Sequence, residues 1–306
     1  MLLTAEGLAL IAVAVLLAVP VPLALARAAW PARSPRAALV LWQAVGLGGG
    51  LAILGAGLTL AVSGLHRSWL GGLAALPRAV EGHPAPGSLG WAGLGLPAVA
   101  ATWLFAVLVV STSRLLLARR KHRRRLELLA EELALGELIP AAGSVAGGLR
   151  VRLLDHPVAA AYCLPGVRPR IVLSQGAIDS LSAGQLTAVL SHEHAHAAGQ
   201  HDLVILPFRA WRQTFPFLPP ARRALAAVEL LVEMLADNDA SRRCGPAPLR
   251  AALLRLAEVS PGDSQVTARA ARLAAPPAAL TRPAMAAIYA AAVALVLLPP
   301  AILLAS

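Results

Sequence analysis

Long apolar stretches dominate the pattern of hydrophobic and polar positions. Four of them approach the twenty or so consecutive apolar residues that a helix needs to cross a bilayer. They cover residues 8–26, 37–60, 94–117 and 284–305. The residues before the first stretch include Glu6 and no basic residue. This favours a retained membrane helix over a cleaved signal peptide, which begins with basic residues. The pattern predicts a multi-pass membrane protein, mainly α-helical, with about four transmembrane helices.

The pattern changes between the third and fourth stretches. Residues 126–138 carry leucines at helical spacing with glutamates between them, which predicts an amphipathic helix. Apolar, β-rich runs follow at 150–154, 158–163 and 170–173, with a Pro-Gly turn signal before the last. These runs predict a small antiparallel sheet of about three strands, as part of an α+β domain.

Helical signals return after the predicted sheet. Ser182 and Gln185 form a capping-box pattern that opens a helix over 183–198, and Gly199 is placed to end it. The apolar but interrupted segment 203–218 is predicted to lie against the membrane or other helices, with a crossing as the alternative. Further helices are predicted over 221–242 and 248–259, and then a polar linker.

The predicted domains are therefore a membrane region at 1–118, a domain at 119–282 and a last membrane helix at 283–306. Composition supports the membrane assignment: 58% of residues are hydrophobic, 14% are charged and the mean hydropathy is +0.68, values foreign to a soluble domain. Gly46 and Gly50 have the G-x-x-x-G spacing of close helix packing, a common pattern in glycine-rich helices.

Basic residues predict the orientation. Arginines at 27, 33 and 36 and the basic run at 119–125 should lie in the cytoplasm. Both termini are then outside, and the domain at 119–282 lies on the cytoplasmic side of the membrane. The net charge of +11 is concentrated beside membrane helices, where it suits anionic lipid, and no nucleic-acid motif accompanies it. We therefore expect a lipid bilayer as partner and no nucleic acid.

The candidate chemistry lies at His192-Glu193-x-x-His196. Two histidines four residues apart leave the same face of a helix and can bind one Zn²⁺ per chain. Glu193 is the candidate general base for a metal-bound water. His194 points to the opposite face and is expected to be a packing or surface residue.

A catalytic zinc site needs a third protein ligand. Glu233 is the first candidate, because Asp237 follows one turn later and could orient a ligating histidine. Glu229, one turn earlier, remains a rival ligand. Arg242, Arg243 and His201 are open alternatives as the donor that holds the oxyanion, and Asp202 is either a supporting or a turn residue.

The ordered motifs resemble the BlaR/MecR-type membrane zinc metallopeptidases, in the short form without a penicillin-binding sensor domain. Residues 160–166 read Ala-Ala-Tyr-Cys-Leu-Pro-Gly and residues 170–174 read Arg-Ile-Val-Leu-Ser. The H-E-x-x-H motif and Glu233-x-x-Ala236-Asp237 follow in order. HtpX-type proteases share the same two-part signature, which is that of gluzincins.

The resemblance implies roles for individual residues. Glu233 would be the third zinc ligand and Asp237 its supporting carboxylate. An edge strand would bind the protein or peptide substrate; it comprises Ala160, Ala161, Tyr162, Cys163 and Leu164. The chain ends without a sensor domain, so we expect a separate sensor or regulator protein. Cleavage of a repressor, or of the chain itself, is the implied role.

Two other functions compete with this one. An HtpX-like quality-control protease would cleave misfolded membrane proteins broadly. A non-catalytic membrane signal transducer would have kept the motif as a relic, and analysis of bound metal would separate it from an enzyme.

Overall fold

The computed structural model describes residues 2–62, 131–133, 150–164, 170–259 and 265–305, together with isolated helical positions between 71 and 117. The chain forms two compact units. The first comprises Met1–Val109, Phe208–Val228 and Leu280–Ser306, and the second comprises Val110–Pro207 and Glu229–Ala279.

The described residues form helices separated by four short strands. The helices are α1 (Leu2–Ala18), α2 (Pro20–Arg27), α3 (Pro35–Val62), α4 (Gln175–Ser180), α5 (Ala183–Ala198), α6 (His201–Thr214), α7 (Pro219–Cys244), α8 (Pro246–Val259), α9 (Val266–Ala274) and α10 (Arg282–Leu304). The strands are β1 (Glu131–Leu133), β2 (Arg150–Leu154), β3 (Ala161–Leu164) and β4 (Arg170–Ser174).

Three helical segments of the first unit are long and apolar enough to cross a membrane. They are Ala5–Arg27, Pro35–Thr59 and Arg282–Leu304. These segments confirm the first, second and fourth predicted stretches as long apolar helices. The predicted third stretch, at 94–117, falls largely outside the described residues, although its described positions are helical. The count of four crossings stays a prediction.

The apolar helices α1, α3 and α10 pack through small residues. Leu10 of α1 is buried against Ala52 and Ala56 of α3, with Ile302 and Leu303 of α10 beside them. A Cβ on Gly48 would lie 2.5 Å from the carbonyl oxygen of Leu295 in α10. Cβ atoms on Gly46 and Gly50 would meet nothing within 4 Å. The close approach of α3 to α10 therefore depends on Gly48 and not on the G-x-x-x-G pair.

Replacing Gly48 with alanine is expected to destabilise the first unit by about 1–3 kcal/mol, because the added methyl group forces α10 away from α3. Gly46→Ala is the matched control, and it should leave stability unchanged or slightly improved, since alanine favours a helix. Thermal unfolding of the detergent-purified variants measures both effects. Equal melting temperatures for the two variants would contradict this account of the packing.

The sheet of the second unit has the order β1-β2-β4-β3. β1 pairs antiparallel with β2, β2 parallel with β4, and β3 antiparallel with β4. The prediction of a three-stranded antiparallel sheet was therefore wrong: the sheet is mixed and has four strands among the described residues. β3 therefore occupies one side of β4. β2 occupies the other side and runs in the same direction as β4.

The amphipathic helix predicted for residues 126–138 was also wrong where the structure describes it. Glu131–Leu133 is strand β1, paired with Val151–Leu153 of β2. The outer edge of β2 offers backbone partners, and such tertiary pairing overrides a local helical preference. β3 begins at Ala161, later than the predicted 158. Ala160, just before it, donates its N–H to Ser174 Oγ at 2.8 Å and accepts from Ser174 N at 2.9 Å.

Helix α5 has the predicted bounds. Gln185 Oε1 accepts from Ser182 N at 2.8 Å, and Ser182 Oγ accepts from Gln185 N at 3.4 Å, which completes the capping box. Leu186 and Leu190 bury the inner face of α5 among sheet residues that include Ile171. This packing fixes the helix beside β3 and β4.

The remaining helices agree in part with the sequence. The predicted helices over 221–242 and 248–259 are confirmed as α7 and α8. Residues 203–214 of the interrupted segment lie in α6, with Pro207 inside it. Phe208 packs edge-on against Trp42 of α3, with ring centroids 6.1 Å apart. The predicted polar linker was wrong, because it contains α9. Val266, Ala270 and Leu273 form its buried stripe.

Candidate metal centre

Two helices bring the predicted metal ligands together. His192 and His196 lie one turn apart on α5, and Glu233 lies in the middle of α7. The two Nε2 atoms are 3.1 Å apart. His192 Nε2 is 3.3 Å from Glu233 Oε2, and His196 Nε2 is 3.4 Å from Glu233 Oε1. These three side chains form a group that could hold one metal ion.

The spacing suits Zn²⁺. Zinc bonds of about 2.0–2.1 Å in tetrahedral geometry separate two ligand atoms by about 3.3–3.4 Å. The observed separations of 3.1, 3.3 and 3.4 Å match that edge length. Two imidazoles and one carboxylate also form a donor set typical of catalytic zinc, which leaves the fourth position for water or substrate.

The ligands lie in the wall of a cavity of about 250 Å³. Glu193, the predicted general base, is part of the same wall. The other lining residues are Ala197, His201 and Asp202. The cavity therefore combines an electrophile-binding position with a proton acceptor.

Asp237 lies beside the ring of His192. Its Oδ1 atom is 3.1 Å from Nδ1 of His192, the ring nitrogen remote from Glu233, and the side chain is 1% exposed. Burial opposes protonation of His192, but the Asp237 and Glu233 carboxylates outweigh burial and raise the pKa of His192 to about 9. Because a ligating histidine must be neutral, zinc binding to this set releases a proton.

Sequence reasoning missed Arg269 on α9. This side chain is 4% exposed and forms a two-pronged ion pair with Asp237, from Nε to Oδ2 at 2.8 Å and from Nη2 to Oδ1 at 2.7 Å. Its Nη1 atom lies 2.9 Å from Glu233 Oε2. An available signal was its position on the apolar stripe of Val266, Ala270 and Leu273, where an arginine is unusual unless it is paired.

The charges in this cluster favour ionised carboxylates. Burial would raise the pKa of Glu233, but hydrogen bonds from His192 and His196, with the Arg269 charge, lower it well below its usual range. Burial also opposes ionisation of Asp237, and the Arg269 and His192 contacts again outweigh burial and lower its pKa. Both carboxylates are thus kept in the form that a metal site requires.

Several other candidates lie outside the ligand group. Glu229, the rival ligand, is not among its members. His194 is half-buried, and burial together with the Arg243 charge lowers its pKa. Arg242 and Arg243 both pair with Asp239 and do not line the cavity, so the structure gives neither a place beside a reacting carbonyl.

The predicted substrate strand lies at an edge of the sheet. β3 pairs with β4 on one side, and no other described strand pairs with it. Tyr162 is half-buried, and burial raises its pKa. Helix α5, which carries the histidine motif, packs against β3. An extended chain added to β3 would therefore lie next to the motif helix.

The comparison with known families identifies one region. Residues 121–218 match the model of Peptidase family M48. The match covers about a third of the chain and includes the whole of α5 with its H-E-x-x-H motif, while Glu233 and Arg269 lie beyond it. M48 peptidases are zinc-dependent, and the family covers both BlaR-type and HtpX-type membrane enzymes. Among curated proteins, none matches the chain.

The M48 match supports the resemblance at the level of a metallopeptidase domain. It does not separate the BlaR/MecR type from the HtpX type. Together with the His192, His196 and Glu233 group, it indicates a metal-dependent hydrolase of peptide bonds. Among the residues that the structure describes, three helices are suited to a membrane.

Proposed function

We propose that this chain is a zinc-dependent integral-membrane endopeptidase that cleaves protein substrates at the cytoplasmic face of a bacterial membrane. One observation carries the proposal. His192, His196 and Glu233 converge at zinc-ligand spacing, and Glu193 lines the same cavity. The M48 match over the motif helix supports the reaction class.

The chain's own residues divide the work of hydrolysis. The bound metal would be held by His192, His196 and Glu233, and it supplies an electrophile for the scissile carbonyl and a water of lowered pKa. Glu193 accepts the proton of the attacking water and returns it to the leaving amine nitrogen. Asp237 holds the ring of His192 in one orientation from the side remote from the metal.

The substrate would bind in extended form along β3. The segment comprises Ala160, Ala161, Tyr162, Cys163 and Leu164. Those of its backbone groups that are not bonded to β4 would add the substrate to the sheet as a further strand, which gives affinity with little sequence selectivity. The edge position of β3 and its contact with α5 support this role. Protein substrates in unfolded or extended segments are the expected class.

The position in the membrane follows from the basic residues of the sequence. The arginines at 27, 33 and 36 and the run at 119–125 favour a cytoplasmic peptidase domain over 119–282 and outward termini. Within the M48 family, we favour the BlaR/MecR type, in which a separate sensor triggers cleavage of a repressor or of the protease itself. Quality control of the HtpX type and a non-catalytic transducer are the competing roles.

Removal of metal tests the proposal. Purified protein should contain one zinc per chain, lose peptide-bond hydrolysis on chelation and regain it when zinc is restored. His192→Ala should lose the metal, because two remaining ligands bind zinc far more weakly. Zinc content by mass spectrometry and cleavage of an unfolded protein substrate are the measurements.

His194→Ala is the matched control, since His194 lies on the same helix outside the ligand group. It should retain zinc and hydrolysis. A wild-type protein without stoichiometric zinc, or a His192→Ala variant that retains it, would overturn the proposal.

A further inference from the structure

The ring of His201 lies directly behind that of His196. Their Nδ1 atoms are 3.0 Å apart, and the rings meet edge-on with centroids 4.8 Å apart. His201 is 9% exposed and lines the same cavity as the metal ligands. We infer that His201 is a positioning residue that accepts a hydrogen bond from Nδ1–H of His196 and thereby presents Nε2 of His196 to the metal, an inference that rests on the proposed function.

The direction of this hydrogen bond follows from the other face of His196. Its Nε2 atom is turned towards His192 Nε2 and Glu233, at 3.1 and 3.4 Å. A nitrogen that binds a metal carries no proton, so the proton of the neutral ring sits on Nδ1. His201 must then accept at its own Nδ1 and carry its proton on Nε2.

His201 is not a member of the metal-ligand group. Its Nδ1 atom is occupied by His196, on the side of that ring remote from the ligand group. Its Nε2 atom lies against Gly199. The two ligating histidines are thus supported differently, His192 by the Asp237 carboxylate and His196 by a neutral imidazole.

The connection between α5 and α6 brings His201 into contact with His196. Gly199 ends α5 with φ −78°, which any residue can adopt, so its conformation alone does not require glycine. A Cβ there would come within 2.5 Å of His201 Cδ2 and would also collide with Nε2. Gln200 then takes a left-handed φ of 47°, which turns the chain back so that the first residue of α6 reaches His196. Glycine is needed here for space.

Zinc affinity is the readout that tests the inference. Chelator competition on the full-length, detergent-purified protein should show that His201→Phe, which keeps a ring but removes the acceptor, binds zinc about 10–100-fold more weakly. His201→Asn places an amide oxygen near the position of Nδ1 and should recover most of the affinity. A loss of side-chain volume alone would not make zinc binding weaker in His201→Phe than in His201→Asn.

Gly199→Ala provides an independent arm. The added methyl group should displace His201 and weaken zinc binding, but only where His201 is present. In the His201→Ala background the same change should be close to neutral, since the two residues then no longer conflict. Additive effects of the two substitutions would contradict the inferred arrangement.

The outcomes separate this inference from the proposed function. If wild-type protein binds no zinc, the proposed function fails, and this inference falls with it. If wild-type protein binds zinc and His201→Phe binds it equally well, only the positioning role is overturned.

If His201→Phe does not fold, nitrogen-15 spectra of histidine-labelled, zinc-loaded wild-type protein decide the question. His196 should be protonated at Nδ1 and His201 at Nε2, and a His201 protonated at Nδ1 would overturn the inference.

Discussion

Replacing Glu193 with glutamine is expected to slow peptide-bond hydrolysis by about 10²–10⁴-fold without releasing zinc. The side chain lines the cavity beside the ligand group and is not a member of it. Glutamine has nearly the same shape, so the cavity and the ligands stay in place. It cannot accept a proton from water, however, and the reaction loses its base. The rate of cleavage and the zinc content of the same preparation measure the two halves of this expectation.

Glu258→Gln is the control for the Glu193 variant. Glu258 is an exposed residue that pairs with Arg255 on α8, so the same chemical change there should leave the rate unaltered. A Glu193→Gln enzyme that cleaves at the wild-type rate would remove Glu193 from the mechanism. A zinc-loaded wild-type protein that cleaves nothing would instead favour the non-catalytic transducer.

Local signals allowed the motif helix to be predicted to the residue. Ser182 and Gln185 specify its first turn through their own side chains, and the four-residue spacing of His192 and His196 places both on one face wherever the helix lies. The long apolar helices were predictable for a similar reason, because a run of about twenty apolar residues needs no partner to define it.

The choice between Glu229 and Glu233 could not be made from helical periodicity. The two residues lie one turn apart on the same side of α7, so their spacing is equally suitable. What separates them is how far α7 is displaced along α5, which depends on packing between residues distant in the chain. The structure brings Glu233, and not Glu229, into the ligand group.

The sheet and the arginine were missed because each depends on contacts between distant residues. Parallel pairing of β2 with β4 is set by the intervening strand β3, and nothing within either strand encodes it. Arg269 lies 77 positions from His192 and 32 from Asp237. Pro-Gly at 261–262 and Pro-Pro at 276–277 flank its segment and are typical of a linker. Only the folded chain shows that the Arg269 cation is buried between two carboxylates.

Arg269→Met is expected to be the most destabilising substitution in the second unit, at about 3–5 kcal/mol. The loss leaves Asp237, which is 1% exposed, and its neighbour Glu233 without the guanidinium that pairs with both carboxylates. The substitution should lower the free energy of unfolding more in the metal-free protein than in the zinc-loaded protein, because a bound dication restores part of the missing positive charge. Thermal unfolding with and without zinc measures the difference.

Arg255→Met gives the matched control. Arg255 pairs with Glu258 at 2.9 Å, but its side chain is 54% exposed, and surface pairs contribute only about 0–1 kcal/mol. Replacing arginine with methionine should therefore destabilise the protein strongly at position 269 and only slightly at position 255. Combining Arg269→Met with Asp237→Asn should recover part of the stability, since the double variant buries one carboxylate fewer. If Arg269→Met and wild-type protein have equal melting temperatures both with and without zinc, the ion pairs of Arg269 with Asp237 and Glu233 do not hold the site together.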